Sequence, residues 1–313
     1  MRIAFHTICS DNYFQYYIPI YCYTIQRAWP EAHIHIGITG RLNQDTKDSL
    51  SLIHRVTIRN VGEKIKKEKP NSVIITENAL VSKKQKSAIC RPGYHNTARF
   101  LYLMEELDGE DVQKDFDYMF ITDLDFVMLR TKDFNVVNWI IKRMDQLKTC
   151  YYTHHGPVKP TRKFPQGWSG ARERLAGGIV CITPEWLKKT CNARHRYRGK
   201  LQRGEIGTYR EEDEVTLCKI TKESGMPVIQ AKFYHPKYST IHFGDYKPEF
   251  KARWQSPKRM KKRISQGIIR SYIKMTAEPN WQKIKQIACR NEHIKTIFSN
   301  FKYFLVESKC LKS

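Results

Sequence analysis

Strand-like and helix-like segments alternate over the first 58 residues, and this alternation constrains the fold more than any other feature of the chain. Arg2 to Thr7 has the pattern of a buried strand. A helix-like stretch runs from about Tyr13 to Trp29, with Pro19 suited to where its regular part begins. Ala32 to Ile38 alternates as a strand does, and Gly40 ends it. A helix over Asn43 to Ile53 and a short strand over Arg55 to Ile58 complete a β-α-β-α-β order. Such an order calls for an α/β fold, a mostly parallel sheet flanked by helices.

The pattern continues less regularly. Asn96 to Leu107 is helical in its spacing, and Phe116 to Thr122 is a hydrophobic strand. Phe126 to Leu129 stays extended. Tyr151 to Ser169, rich in Gly, Pro, His and aromatics, reads as loop. Gly177 to Thr183 reads as another strand, Pro184 to about Thr190 as a helix, and Arg194 to Gly207 as a basic loop. Glu211 to Glu223 is helical, with acids at the end that favours them. Glu63 to Lys69 is a lysine-rich solvated segment ahead of Pro70.

Apolar residues make up 41% of the 313 residues, enough for a sizeable core. No apolar run approaches the roughly 20 residues of a membrane span. The amino terminus meets His6, Asp11 and Asn12 too early for a secretory signal, so a cytoplasmic protein is expected. The nine cysteines include no C-x-x-C pair, which fits reduced, buried thiols.

The net charge of +24 directs the chain toward anionic partners. It is unevenly spread: residues 251–313 hold 16 Lys/Arg and 3 Glu, a net of +13. They include the cluster Lys258 to Arg263. Ile284, Ile287, Ile294, Ile297, Phe298, Phe301 and Leu305 follow at helical spacing with basic residues between them, as in a basic amphipathic helix. The expected organisation is a catalytic domain over 1–250 and a basic, largely helical extension over 251–313. The extension suits peripheral contact with an anionic membrane. Because the excess charge lies mostly outside the α/β body, no nucleic-acid partner is expected.

Two motifs carry chemistry. Asp123-Leu124-Asp125 follows the strand Tyr118 to Thr122, which puts two carboxylates at a strand's carboxyl end, where open α/β sheets bind ligands. Adjacent acids repel, and a divalent cation with a taste for oxygen, Mg²⁺ or Mn²⁺, relieves the repulsion and can hold a diphosphate. The second motif, Ile241-His242-Phe243-Gly244-Asp245-Tyr246-Lys247-Pro248, combines an imidazole that suits Mn²⁺, a glycine for close approach and a lysine for phosphate.

Taken in order, these pieces resemble the GT-A (Rossmann-like) nucleotide-sugar glycosyltransferases, in particular the glycogenin and bacterial galactosyltransferase group. Asp123-x-Asp125 is similar to the D-x-D metal motif of that family. Gly177-Gly178 resembles its glycine turn beside the donor sugar, and Glu211-Glu212-Asp213 its acidic triplet near the acceptor. His242, Gly244 and Lys247-Pro248 resemble the motif H-x-x-G-x-x-K-P, with one residue fewer between His242 and Gly244. Thr7 and the following Asp11-Asn12-Tyr13 resemble the segment that contacts the nucleoside, and Arg99 the arginine that faces the nucleotide. The resemblance covers about residues 1–250.

What the resemblance implies is a metal-dependent glycosyltransferase moving a sugar from a nucleoside diphosphate sugar, a UDP-sugar by preference, to a hydroxyl of a glycan, glycolipid or glycoprotein. Asp123, Asp125 and His242 would hold Mn²⁺ or Mg²⁺. Thr7, Tyr13, Arg99, Asp123, Gly177, Gly178 and Lys247 would bind the donor. Asp213 or Glu212 would act as a general base or would steady the developing positive charge on the sugar, and both alternatives stand. A metal-dependent nucleotidyltransferase or phosphatase could use the same two aspartates, but residues 1–40 have no glycine-rich phosphate loop. A non-enzymatic nucleic-acid binder would answer to the charge alone.

Overall fold

The computed structural model describes residues 1–63, 71–80, 93–103, 116–132, 134–153, 157–158, 174–175, 178–208, 212–228, 240–250 and 264–307. Gly177, Glu211 and the cluster Lys258 to Arg263 lie outside these residues.

The strands are β1 Ile3–Cys9, β2 His33–Ile38, β3 Val56–Asn60, β4 Val73–Glu77, β5 Tyr118–Thr122, β6 Phe126–Met128, β7 Tyr151–Thr153, β8 Pro157–Val158, β9 Arg174–Leu175, β10 Ile179–Ile182 and β11 Thr240–His242. The α-helices are α1 Tyr17–Ala28, α2 Gln44–Leu50, α3 Tyr94–Leu101, α4 Val136–Leu147, α5 Pro184–Arg203, α6 Glu212–Glu223, α7 Gln266–Thr276, α8 Pro279–Ala288 and α9 Glu292–Glu307.

Seven strands form the main sheet in the order β3-β4-β2-β1-β5-β10-β7. From β3 to β5 every pairing is parallel, and β10 runs against both β5 and β7. This is the expected mostly parallel α/β architecture. The order turns at β1: the chain first builds outward to β2, β4 and β3, then returns to add β5 on the other side. The crevice beyond the carboxyl ends of β1 and β5 is therefore a topological switch point, the place where such sheets take ligands.

Side chains alternate between two cores, as the strand period demands. Phe5, Cys9, Phe120 and Cys181 belong to one, together with α1, α4 and the carboxyl-terminal helices. Ala4, Ile8, Met119, Ile121 and Val180 belong to the other, under α3, α5 and α6. The described part of the carboxyl-terminal segment does not stand off from the sheet. Trp281, Ile284, Ile294, Phe298, Phe301 and Phe304 are buried in the first core with β1, β2 and α1.

Several elements differ from their sequence pattern. The first helix-like stretch is a 3₁₀ turn, Tyr13–Tyr16, followed by α1 from Tyr17. The segment Arg194 to Gly207, expected as loop, continues α5 to Arg203, because Ala193, Arg194, Tyr197 and Leu201 keep facing the core at helical spacing. Gly204, at φ 73°, ends that helix in the left-handed conformation. Tyr151–Thr153 is an edge strand of the main sheet within an expected loop. The single amphipathic helix expected near the carboxyl end is two helices, α8 and α9.

Candidate active site

A cleft of about 530 Å³ opens at the switch point. Thr7 to Phe14, following β1, form one wall, and Asp123 to Asp125, following β5, form another. His95, Asn96 and Arg99 enter from α3, and His242 and Lys247 from the turn after β11. A second cavity, about 410 Å³ and lined by Tyr23, Arg27, His54 and Arg55 among others, shares no residue with it.

The position of each acid follows from local pairing. Asp123 N donates to Gly178 O at 3.1 Å, which fixes the first carboxylate at the end of β5. The chain then runs into β6, which pairs antiparallel with β11 so that Phe126 faces His242. Their rings stack at 4.6 Å. Phe243 N donates to Asp125 O at 2.9 Å. His242 is thus placed beside Asp125 by strand register, and the 3₁₀ turn Phe243–Tyr246 starts directly after it, so the shortened spacing to Gly244 costs no reach.

One ligand atom from each of Asp123, Asp125 and His242 lies within 4.8 Å of the others. His242 Nε2 is 3.0 Å from Asp125 Oδ1, and Lys247 Nζ is 3.9 Å from Asp125 Oδ2. Gly244 makes room: a Cβ there would lie 2.6 Å from Asp125 Oδ2 and 2.8 Å from His242 Nε2. Two carboxylates and one imidazole, with a cradle that admits no side chain, fit Mn²⁺, or Mg²⁺ with less preference for the nitrogen. Burial pushes the Asp125 carboxyl up, but His242, Lys247 and Arg99 together hold it below its ordinary range. Burial pulls the His242 imidazole down, and Asp125 more than restores it.

Arg99, 3% exposed, pairs through one nitrogen with Asp123 and through another with Asp213 at 3.0 Å. Asp213, 4% exposed, does not line the cleft among the described residues, and it meets the site through this arginine. Burial raises its carboxyl to about 6, Arg99 opposing and Asp123 adding to the rise. Glu212 is engaged elsewhere: its Oε2 accepts from both N and Oγ1 of Thr208 at 2.8 Å, holding the start of α6.

Thr7 sits in the cleft floor at 1% exposure, and Tyr13 lines the cleft with its ring stacked on Phe14 at 4.5 Å. Asn12 Oδ1 accepts from Phe14 N at 3.0 Å and shapes that turn. Phe14, Thr39, His95 and Asn96 line the cleft as well, and no sequence motif marks them. His95 Nε2 and Thr39 Oγ1 are 2.9 Å apart, joining α3 to the β2 loop across the cleft. Extending the helical pattern of α3 one residue back would have put His95 beside Asn96, on the side of Arg99.

No protein-family model and no curated protein sequence matches the chain. Among solved structures it is similar to core-mannan synthase A of Aspergillus fumigatus in an Mn/GDP form, at 8% identity over 71% of this chain and 69% of that one, with a TM-score of 0.42. It is also similar to the galactosyltransferase LgtC with donor and acceptor sugar analogs, at 12% identity over 69% and 70%, with a TM-score of 0.34. A third is the mannosyltransferase Ktr4p of S. cerevisiae with GDP, at 6% identity over 70% and 65%, with a TM-score of 0.41. The site, not these remote likenesses, carries the functional reading.

Proposed function

We propose that the chain is a metal-dependent glycosyltransferase of the GT-A kind, which takes a nucleoside diphosphate sugar, a UDP-sugar by preference, and delivers the sugar to a hydroxyl of a glycan, glycolipid or glycoprotein. One observation carries the reading: Asp123, Asp125 and His242 converge, with Arg99 and Lys247, in the switch-point cleft. Asp123, Asp125 and His242 would hold Mn²⁺ or Mg²⁺, which when bound supplies charge stabilisation for a diphosphate leaving group.

The chain's own residues do the rest. Lys247 brings a point charge to the phosphate side of the site. Arg99 offers a planar, permanently charged fork, and Asp213 holds that fork in place from behind. We assign Asp213 a positioning role through Arg99 and Glu212 a structural one at the head of α6. Thr7 and Tyr13 would line the nucleoside end, and Gly178, with its neighbour Gly177, the sugar end. The basic carboxyl-terminal segment would hold the enzyme at an anionic membrane surface near such acceptors. No helix among the described residues is long and apolar enough to cross a membrane.

The test is incubation with a panel of nucleoside diphosphate sugars, with Mn²⁺ and with chelator. The expected result is Mn²⁺-dependent release of free sugar and nucleoside diphosphate from one donor, abolished in Asp125→Ala while far-UV circular dichroism is unchanged. Release of nucleoside monophosphate or inorganic phosphate instead would favour a nucleotidyltransferase or phosphatase. Turnover insensitive to chelator would remove the metal from the reaction.

A further inference from the structure

The carboxyl-terminal helix α9 reaches the nucleotide end of the cleft. Its first turn carries His293, whose ring lies 4.2 Å from that of Tyr13. Tyr13 stacks on Phe14, and Lys247 Nζ lies 5.3 Å over the Phe14 ring. A run of contacts therefore leads from α9 to the acids: His293, Tyr13, Phe14, Lys247, Asp125. Further along α9, Phe298 and Phe301 pack edge-on against Phe243 at 4.9 and 5.7 Å, and Asn300 Nδ2 donates to Tyr246 O at 2.8 Å. The helix thus grips both the loop after β1 and the turn that presents His242, Gly244 and Lys247. His293 Nε2 is buried and has no hydrogen-bond partner among the described residues, so the imidazole is held by its ring and not by that nitrogen.

We infer that α9 is part of the donor site, with His293 acting as a positioning residue that backs Tyr13 and fixes the aromatic surface on which a nucleobase rests. The inference stands on the proposed function, since it takes the ligand to be a nucleoside diphosphate. It goes further in assigning to the carboxyl-terminal helix a role in holding the base. A base laid on a ring gains from stacking only while that ring stays put, because a ring free to rotate must be ordered at the moment of binding. His293 removes that freedom beforehand.

The experiment is titration calorimetry with Mn²⁺ present, using UDP, GDP and inorganic pyrophosphate as probes. The proteins are wild type, His293→Ala, His293→Phe and the exposed-site control Lys295→Ala, with thermal midpoints measured alongside. In His293→Ala, binding of UDP or GDP should weaken by about 2- to 12-fold, the worth of one aromatic contact, while pyrophosphate binding stays unchanged. His293→Phe should restore nucleotide binding, because it keeps a ring and loses only the unpartnered nitrogen. Lys295→Ala should match wild type. Equal losses for nucleotide and pyrophosphate would overturn the inference, because His293 would then act on the phosphate end. So would unchanged nucleotide binding in His293→Ala, or a His293→Phe protein that is folded yet as weak as His293→Ala. In each of these cases the proposed function survives. Wild-type protein that binds none of the three probes would overturn both.

Discussion

A methyl group on Gly244 would sit 2.6 Å from Asp125 Oδ2 and 2.8 Å from His242 Nε2. Real Cβ atoms do not approach so closely, so Gly244→Ala must push the carboxylate and the imidazole apart. The clash falls on the cleft-facing carboxylate and imidazole, so the effect on the thermal midpoint should be small beside the effect on binding. Metal-dependent nucleotide binding should fall by at least about tenfold, roughly 1.4 kcal/mol or more; calorimetry with and without Mn²⁺ measures both. A second prediction concerns histidines outside the cleft. His6 and His35 are buried and face each other across β1 and β2. Burial pulls His6 down to about 4, its Nε2–H donating to Tyr102 O, and holds His35 well below its usual range. Both take up protons on unfolding once the pH is below about 6.5, so their contribution to stability is present above that value and lost as pH falls toward 4. Asp213 has the opposite sign: raised to about 6, it favours the folded state on acidification. His95, which burial also pulls down to about 4, adds to the uptake, so the balance between pH 6 and 4.5 is about two protons taken up on unfolding, or roughly 2.7 kcal/mol per pH unit. Thermal midpoints should fall across that window in wild type and fall about half again as steeply in Asp213→Asn, where the opposing group is gone. Equal slopes would mean Asp213 titrates alike in both states.

Among the elements, α9 shows most directly what packing adds to sequence. Phe301 is 1% exposed and touches Phe243, Tyr246 and Tyr272 by its ring. Phe301→Ala should cost about 3–5 kcal/mol and lower the thermal midpoint by roughly 5–8 °C. A shift under about 2 °C in differential scanning calorimetry would show that the helix is not joined to the core. The strands β1, β2 and β5 were legible because their apolar runs are flanked by clear breakers, and Asp123-x-Asp125 because it ends one of them. β4 was not legible: Val73 to Ile75 is only a three-residue apolar run with no alternation to mark it, since the strand is covered on both faces. The end of α5 was misplaced because Arg194 reads as solvated, whereas it is 1% exposed with its guanidinium 5.9 Å from the Trp186 ring. The grouping of His242 with the aspartates could be guessed from motif order, but its reach depends on β6–β11 register, which no local pattern reveals. Arg99 could be picked out, but not its second bond to Asp213, because that contact joins helices 114 residues apart. His293 had no signal at all, for nothing near it in sequence belongs to the cleft.

For the whole molecule, charge is the property with the longest reach. A net of +24 on 313 residues gives a field that attracts any anionic surface. Exposed Lys and Arg near an anionic bilayer contribute about 1 kcal/mol each, so several acting together give reversible binding. Co-sedimentation should show the protein with vesicles containing phosphatidylserine but not with neutral phosphatidylcholine vesicles, and the binding should vanish in about 0.5 M salt, where screening shortens to a few ångströms. Binding to neutral vesicles, or binding that persists in salt, would point to apolar insertion instead. Removing residues 258–263, which hold five of the basic groups in one short run, should weaken it without touching the helices that follow. The grip of α9 on the loop after β1 also bears on how the protein comes into being. The cleft draws on residues from Thr7 to Lys247, and its first wall leans on His293. During synthesis the amino-terminal strands emerge early and can pair, yet the pocket they border stays without this support until the residues around His293 have been made. Contacts of such long sequence separation form late. The nascent chain therefore carries Asp123 and Asp125 before the wall beside Tyr13 is backed, and a chain cut short of α9 keeps the strands of the main sheet but not the contact of His293 with Tyr13.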